Sequence, residues 1–71
     1  MGKEINIKFG KRIASLRTQI GLSQEKFAER CNMHRTYIGA VERGEKSPTL
    51  ITVEKFAKAL NVKITDLFEN L

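Results

Sequence analysis

The sequence predicts an all-α fold, a compact bundle of five short helices, and three observations carry that expectation. Apolar residues recur every three or four positions through five separate segments, and residues that cap helices bracket each one. No stretch alternates apolar and polar residues as a half-buried strand does. A chain of 71 residues forms one domain of a size that buries only about 60% of its unfolded surface, so its core is thin and self-association is a natural supplement.

In the first segment Phe9, Ile13, Leu16 and Ile20 make the apolar stripe, with Lys8, Lys11, Ser15 and Gln19 on the other side. Asn6 is the expected N-cap and Gly21 the stop. The second helix opens at Ser23, whose hydroxyl can accept an orphan backbone N–H, and places Phe27, Ala28 and Cys31 on one face. It ends near Asn32, a residue that tolerates the left-handed conformation. The third runs from about His34 to Arg43 and closes at Gly44. An advance of 100° per residue puts Tyr37, Ile38 and Val41 toward the core and Thr36, Gly39, Ala40 and Arg43 away from it. After a turn containing Pro48, Thr49 caps a fourth helix whose buried stripe is Leu50, Val53, Phe56, Ala57 and Leu60, with Asn61 as its stop. A last helix, roughly Ile64 to Asn70, gathers Ile64, Leu67, Phe68 and Leu71 on one face.

The net charge of +5 is unevenly placed. Residues 1–46 hold ten Lys or Arg against five Glu, whereas the remainder is balanced, so a polyanion would meet the first two thirds of the chain. The bland alternative is a basic face that serves solubility, and Lys3, Lys8, Lys11 and Arg12 are assigned to such a solvated face. There is one cysteine and neither a signal-peptide pattern nor a long apolar run, the profile of a soluble protein of a reducing cytoplasm without membrane attachment. Cys31 and His34 are too few to hold a metal, and no group of titratable residues has a catalytic arrangement. No enzyme activity, metal or cofactor is expected; Cys31 reads as core.

The second and third helices are joined by only Asn32 to His34, too short for a side-by-side hairpin. Such a link fits two helices crossing steeply, as in a helix-turn-helix, whose second helix enters the DNA major groove. The exposed face of the third helix suits that task. Arg35 and Thr36 stand at its N-terminal end, where an arginine can donate two hydrogen bonds to guanine and a threonine offers a hydroxyl and a methyl. A glycine inside a helix costs about 1 kcal/mol relative to alanine; here Gly39, with Ala40, keeps the middle slim enough to approach the groove floor. Tyr37 lies at the border of core and groove. His34 either touches a phosphate or only caps the helix.

The run LSQEKFAERCNMHRTYIGAVERGEKSPTL resembles the Cro and phage-repressor (XRE) family of helix-turn-helix regulators, from about Phe9 through Phe68, and the block RTYIGAVERG is most similar to the controllers of bacterial restriction-modification systems. That resemblance implies a lambda-repressor-like bundle forming a single domain over residues 1–71. It also implies sequence-specific binding to double-stranded operator DNA, activation at low and repression at high concentration, and no small-molecule effector. It assigns base reading to Arg35, Thr36, the Gly39–Ala40 surface and Tyr37. Phosphate contact falls to Gln24, Arg43 and Lys46, with His34 as a further candidate, and Arg17 pairs with Glu42 in a partly buried salt bridge. There are three departures from the pattern: Asn32 where relatives usually have Gly, His34 where controllers often have Asp, and Gly39–Ala40 in place of Ser-Gly.

Ile51 falls on the otherwise polar side of the fourth helix, and the last helix has more apolar residues than one core face needs. Exposed apolar groups on a small domain mark a partner surface. A symmetric homodimer is therefore expected through residues 50–71, using Ile51, Ile64, Leu67, Phe68 and Leu71, and a two-fold dimer matches a palindromic site. A phage-type repressor or an antitoxin is the alternative within this class, and a protein-interaction module without DNA the alternative outside it.

Overall fold

The computed structural model describes residues 2–71, with side chains from Glu4 onward. Four α-helices, α1 (Gly2–Gln19), α2 (Gln24–Cys31), α3 (Arg35–Glu42) and α4 (Leu50–Leu60), are followed by a 3₁₀ helix at Ile64–Phe68. The described residues contain no strand.

Each α-helix ends in the same way, and that repetition sets the sharp turns of the fold. Gly21, Asn32, Gly44 and Asn61 all take positive φ, between 56° and 79°. In each case the next residue's N–H reaches back to a carbonyl five positions earlier: Leu22 to Arg17, Met33 to Ala28, Glu45 to Ala40 and Val62 to Ala57, at 2.9 to 3.1 Å. Two glycines and two asparagines are the residues that enter this conformation with least strain. At the other ends, Ser23 accepts from Lys26 N–H and Thr49 from Thr52 N–H, as their expected cap roles require.

Several expectations are corrected. Asn6 is no cap: α1 begins at Gly2 and runs through it, since nothing in that stretch interrupts a helix. Helix α3 is one residue shorter at each end, with His34 and Arg43 as its flanking positions. Ile20 and Leu50 lie outside the core: Ile20 follows the last residue of α1, and Leu50, the first residue of α4, is 85% exposed. The last element is a five-residue 3₁₀ helix rather than an α-helix reaching Asn70. It packs on α1 and α4 and drives Leu67 fully into the core, so Leu67 serves the interior and no interface.

The core is continuous across all five elements, from Phe9 and Ile13 through Phe27, Cys31, Ile38 and Val41 to Val53, Phe56, Leu60 and Leu67. A chain of rings runs into it from the exposed Phe68, Phe68 to Phe9 at 5.2 Å, Phe9 to Phe56 at 6.3 Å and Phe56 to Phe27 at 5.5 Å between centroids, within the range where aromatic pairs attract. Burial pushes the Cys31 thiol up to about 11, leaving it a protonated, inert core residue at neutral pH.

Lys8 and Arg12 are more than a solvated face. Arg12 Nε donates to the Asp66 carbonyl at 2.9 Å and Lys8 Nζ to the Leu71 carbonyl at 3.3 Å, tying α1 to the C-terminal segment. The Lys3 side chain lies outside the described residues. Among them, no helix is long and apolar enough to cross a membrane.

Candidate nucleic-acid interface

Helix α3 is held against α1 by a close backbone crossing. A Cβ at Gly10 would stand against the Val41 carbonyl and 2.7 Å from the Glu42 carbonyl oxygen, so only glycine permits this approach. The crossing brings Arg17 to Glu42. Arg17 donates from Nε to Glu42 Oε2 at 2.6 Å, from Nη2 to Oε1 at 3.0 Å and from Nη1 to the Leu22 carbonyl at 2.8 Å. This is the expected salt bridge, in the two-point geometry that makes Arg–carboxylate pairs directional.

Glu42 has a second partner that the sequence did not disclose. Gln24, the first residue of α2, donates from Nε2 to Glu42 Oε1 at 2.9 Å. One carboxylate thus joins α1, α2 and α3 and fixes the Gln24 amide at the mouth of the helix-turn-helix. With its nitrogen committed to Glu42, the amide oxygen faces the space above Gly39, 3.7 Å from where a Cβ would stand there.

Gln24, Arg35, Thr36, Gly39 and Arg43 line one shallow groove along α3. Arg35 and Thr36 are exposed at the start of the helix, and Arg35 has no acidic partner among the described residues. Tyr37 is half-buried and packs on the core, the border position expected of it. Gly39 is the floor of the groove: it is buried, and the atom nearest its missing side chain is Arg43 Nη1, 3.1 Å from the Cβ position. Its lack of bulk makes room for the arginine that caps the end of its helix. Ala40 is a correction. It is 7% exposed, because the chain returns to it after Gly44, and it offers almost no surface for a base.

The other phosphate candidates divide. Lys46 is exposed, and His34 is exposed at the N-cap position without making a side-chain cap bond. Arg43 is engaged: Nε donates to Glu45 Oε2 at 2.7 Å and Nη2 to Oε1 at 3.2 Å. That hydrogen bond, and after it the opposite charge of the partner, lowers the Glu45 carboxyl from its ordinary value and raises the Arg43 guanidinium from its own. The one hint of this pair in the sequence is Arg-Gly-Glu, where the glycine lets the chain fold back.

A second surface shares no residue with this groove. Ile51, 69% exposed, stands with Leu50, Ile64 and Phe68 around a shallow apolar depression. Of the five expected interface residues, Ile51, Ile64 and Phe68 share this patch, Leu71 is half-buried against the core, and Leu67 is inside.

A helix-turn-helix family model matches residues 13–67. The control protein C.BamHI of Bacillus amyloliquefaciens is 40% identical over 70 residues, 97% of this chain and 86% of that one. The control protein C.MunI of a Mycoplasma species is 33% identical over 96% of this chain and 93% of its own. Among solved structures, the restriction-modification controller protein C.AhdI from Aeromonas hydrophila superposes with a TM-score of 0.90 at 42% identity, covering 92% of this chain and 98% of that one. The controller C.Esp1396I, as a tetramer in complex with its natural 35 base-pair operator, superposes with a TM-score of 0.82 at 33% identity, over 90% of this chain and 84% of that one.

Proposed function

The chain belongs to the helix-turn-helix family, among the control proteins of restriction-modification systems, which are DNA-binding transcription regulators and not enzymes, and from that premise we propose that it binds a palindromic operator as a homodimer. The observation that carries this reading is the groove along α3, where Arg35 and Thr36 are exposed at the helix start, beside an amide held in place by the Arg17–Glu42 pair. A helix seated in the major groove by its N-terminal residues presents those two side chains to base edges. Tyr37 supports reading at the border. Gln24, His34, Lys46 and Arg43 stand around them to meet phosphates, which set register and affinity but not sequence.

The single domain of residues 1–71 supplies its own dimer surface from residues 50–71, through Ile51, Ile64 and Phe68, with Leu50 beside them. Two copies related by a two-fold axis place their recognition helices about 34 Å apart, one turn of DNA. Dimer formation and operator occupancy then rise together, so the protein's own cytoplasmic concentration is its switch, with activation at low and repression at high amounts and no effector ligand. Selection from random duplexes followed by mobility shift tests the reading. Arg35→Ala is expected to lose roughly five- to 150-fold in operator affinity, the 1 to 3 kcal/mol of one two-point base contact, while sedimenting as the same dimer. Failure of the wild-type protein to bind any duplex would defeat the proposal.

A further inference from the structure

The Arg43–Glu45 pair sits where a nucleic acid has to go. Arg43 lines the groove with Arg35, Thr36 and Gln24, and its guanidinium lies across the bare Cα of Gly39. Glu45 meets it with both carboxylate oxygens. The glutamate is not placed by chance of a loose side chain, for its backbone is pinned by the turn that ends α3: Gly44 takes φ +79° and Glu45 N–H donates to the Ala40 carbonyl at 2.9 Å. A carboxylate offering two oxygens to a guanidinium has the same hydrogen-bonding geometry as a DNA phosphate. The neighbouring charge, Lys46, is exposed and free to face solvent.

We propose that Glu45 is an internal phosphate surrogate, which occupies Arg43 in the free protein and has to be displaced before Arg43 can reach the DNA backbone. Glu45 thereby sets the affinity of this chain for DNA of any sequence. Because the displaced contact is to a phosphate in every complex, the glutamate weakens specific and non-specific binding by the same factor and leaves their ratio unchanged. Lowered affinity for bulk DNA keeps a larger share of a scarce regulator unbound and able to find its site. The inference rests on the DNA-binding reading above, and its failure is separable from that reading's failure.

The experiment is a double-mutant cycle, Glu45→Gln, Arg43→Ala and both together, with fluorescence anisotropy on a labelled duplex of mixed sequence and on the selected operator. All four proteins are measured at one fixed, low ionic strength, since salt shifts every such affinity. Glutamine keeps the size of Glu45 and removes its charge, and thermal unfolding of each variant verifies the fold. Exposed ion pairs are worth little, so Glu45→Gln is expected to tighten binding to both duplexes by about two- to fivefold per protomer, and this gain is expected to vanish in the Arg43→Ala background. An equal gain with and without Arg43 would mean that Glu45 merely repels DNA, and would overturn the proposal. No gain at all would overturn it too, while intact wild-type binding would leave the DNA-binding reading standing; absence of wild-type binding would overturn both.

Discussion

Two arginine–glutamate pairs bracket the end of α3 with almost the same contact geometry and opposite surroundings. Arg17–Glu42 has an Nε–Oε2 separation of 2.6 Å with side chains 11% and 7% exposed, and Arg43–Glu45 has 2.7 Å with side chains 59% and 55% exposed. Distance alone would rank them together. Solvent separates them: breaking a sheltered pair strands a charge away from water, whereas an exposed partner simply regains its hydration. The inner pair is therefore a strut that joins three helices, and the outer pair is a clasp that a phosphate can open.

The largest expected effect comes from breaking the strut. Glu42→Ala leaves the Arg17 guanidinium largely buried without its carboxylate, and a loss of about 3 to 5 kcal/mol is expected in urea unfolding. It should also release the Gln24 amide, so operator affinity is expected to fall further than the unfolded fraction explains. Gly10→Ala attacks the same joint from the backbone. Its methyl would be forced into the Val41 and Glu42 carbonyls, parting α1 from α3, with an expected loss of about 1 to 3 kcal/mol by the same measurement.

Gly39→Ala sharpens the comparison with the opposite sign. Alanine favours the helix by up to about 1 kcal/mol, and the nearest obstacle to its methyl is the movable end of Arg43 at 3.1 Å. A modest rise in unfolding temperature is expected, with the clasp displaced and the strut intact. The smallest effect belongs to the clasp itself: Glu45→Ala should leave the urea unfolding midpoint essentially where it is in wild type. A drop in that midpoint as large as the one Glu42→Ala produces would erase the distinction between the two pairs.

The comparison also marks how much of the site was legible in advance. Arg35 and Thr36 could be placed on an exposed helix start because a helix turns by a constant angle and the anchors Ile38 and Val41 are unmistakably apolar. The strut was legible only through family resemblance, since its two ends lie 25 positions apart. The role of Glu45 is not legible because it depends on the turn at Gly44, nor is Gln24's bond to Glu42, which depends on how α2 crosses α3. Lys8 and Arg12 looked like solvated charge for the same reason; their acceptors, at Leu71 and Asp66, are remote in the chain.

The sequence by itself determined where the four α-helices stop and where α2 and α4 start: Ser23 and Thr49 as caps, Gly21, Asn32, Gly44 and Asn61 as left-handed ends. These features are local, decided by side chains and backbone within about five residues. Only the tertiary structure decided that Leu50 faces solvent while Leu67 fills the core, that Ala40 is covered, and that one Glu near the end of α3 braces the fold while the next guards its surface. The period of a helix tells which residues share a face but not what lies opposite that face, and it is the opposite wall, or its absence, that sets burial, the strength of a charge pair and the work each can do.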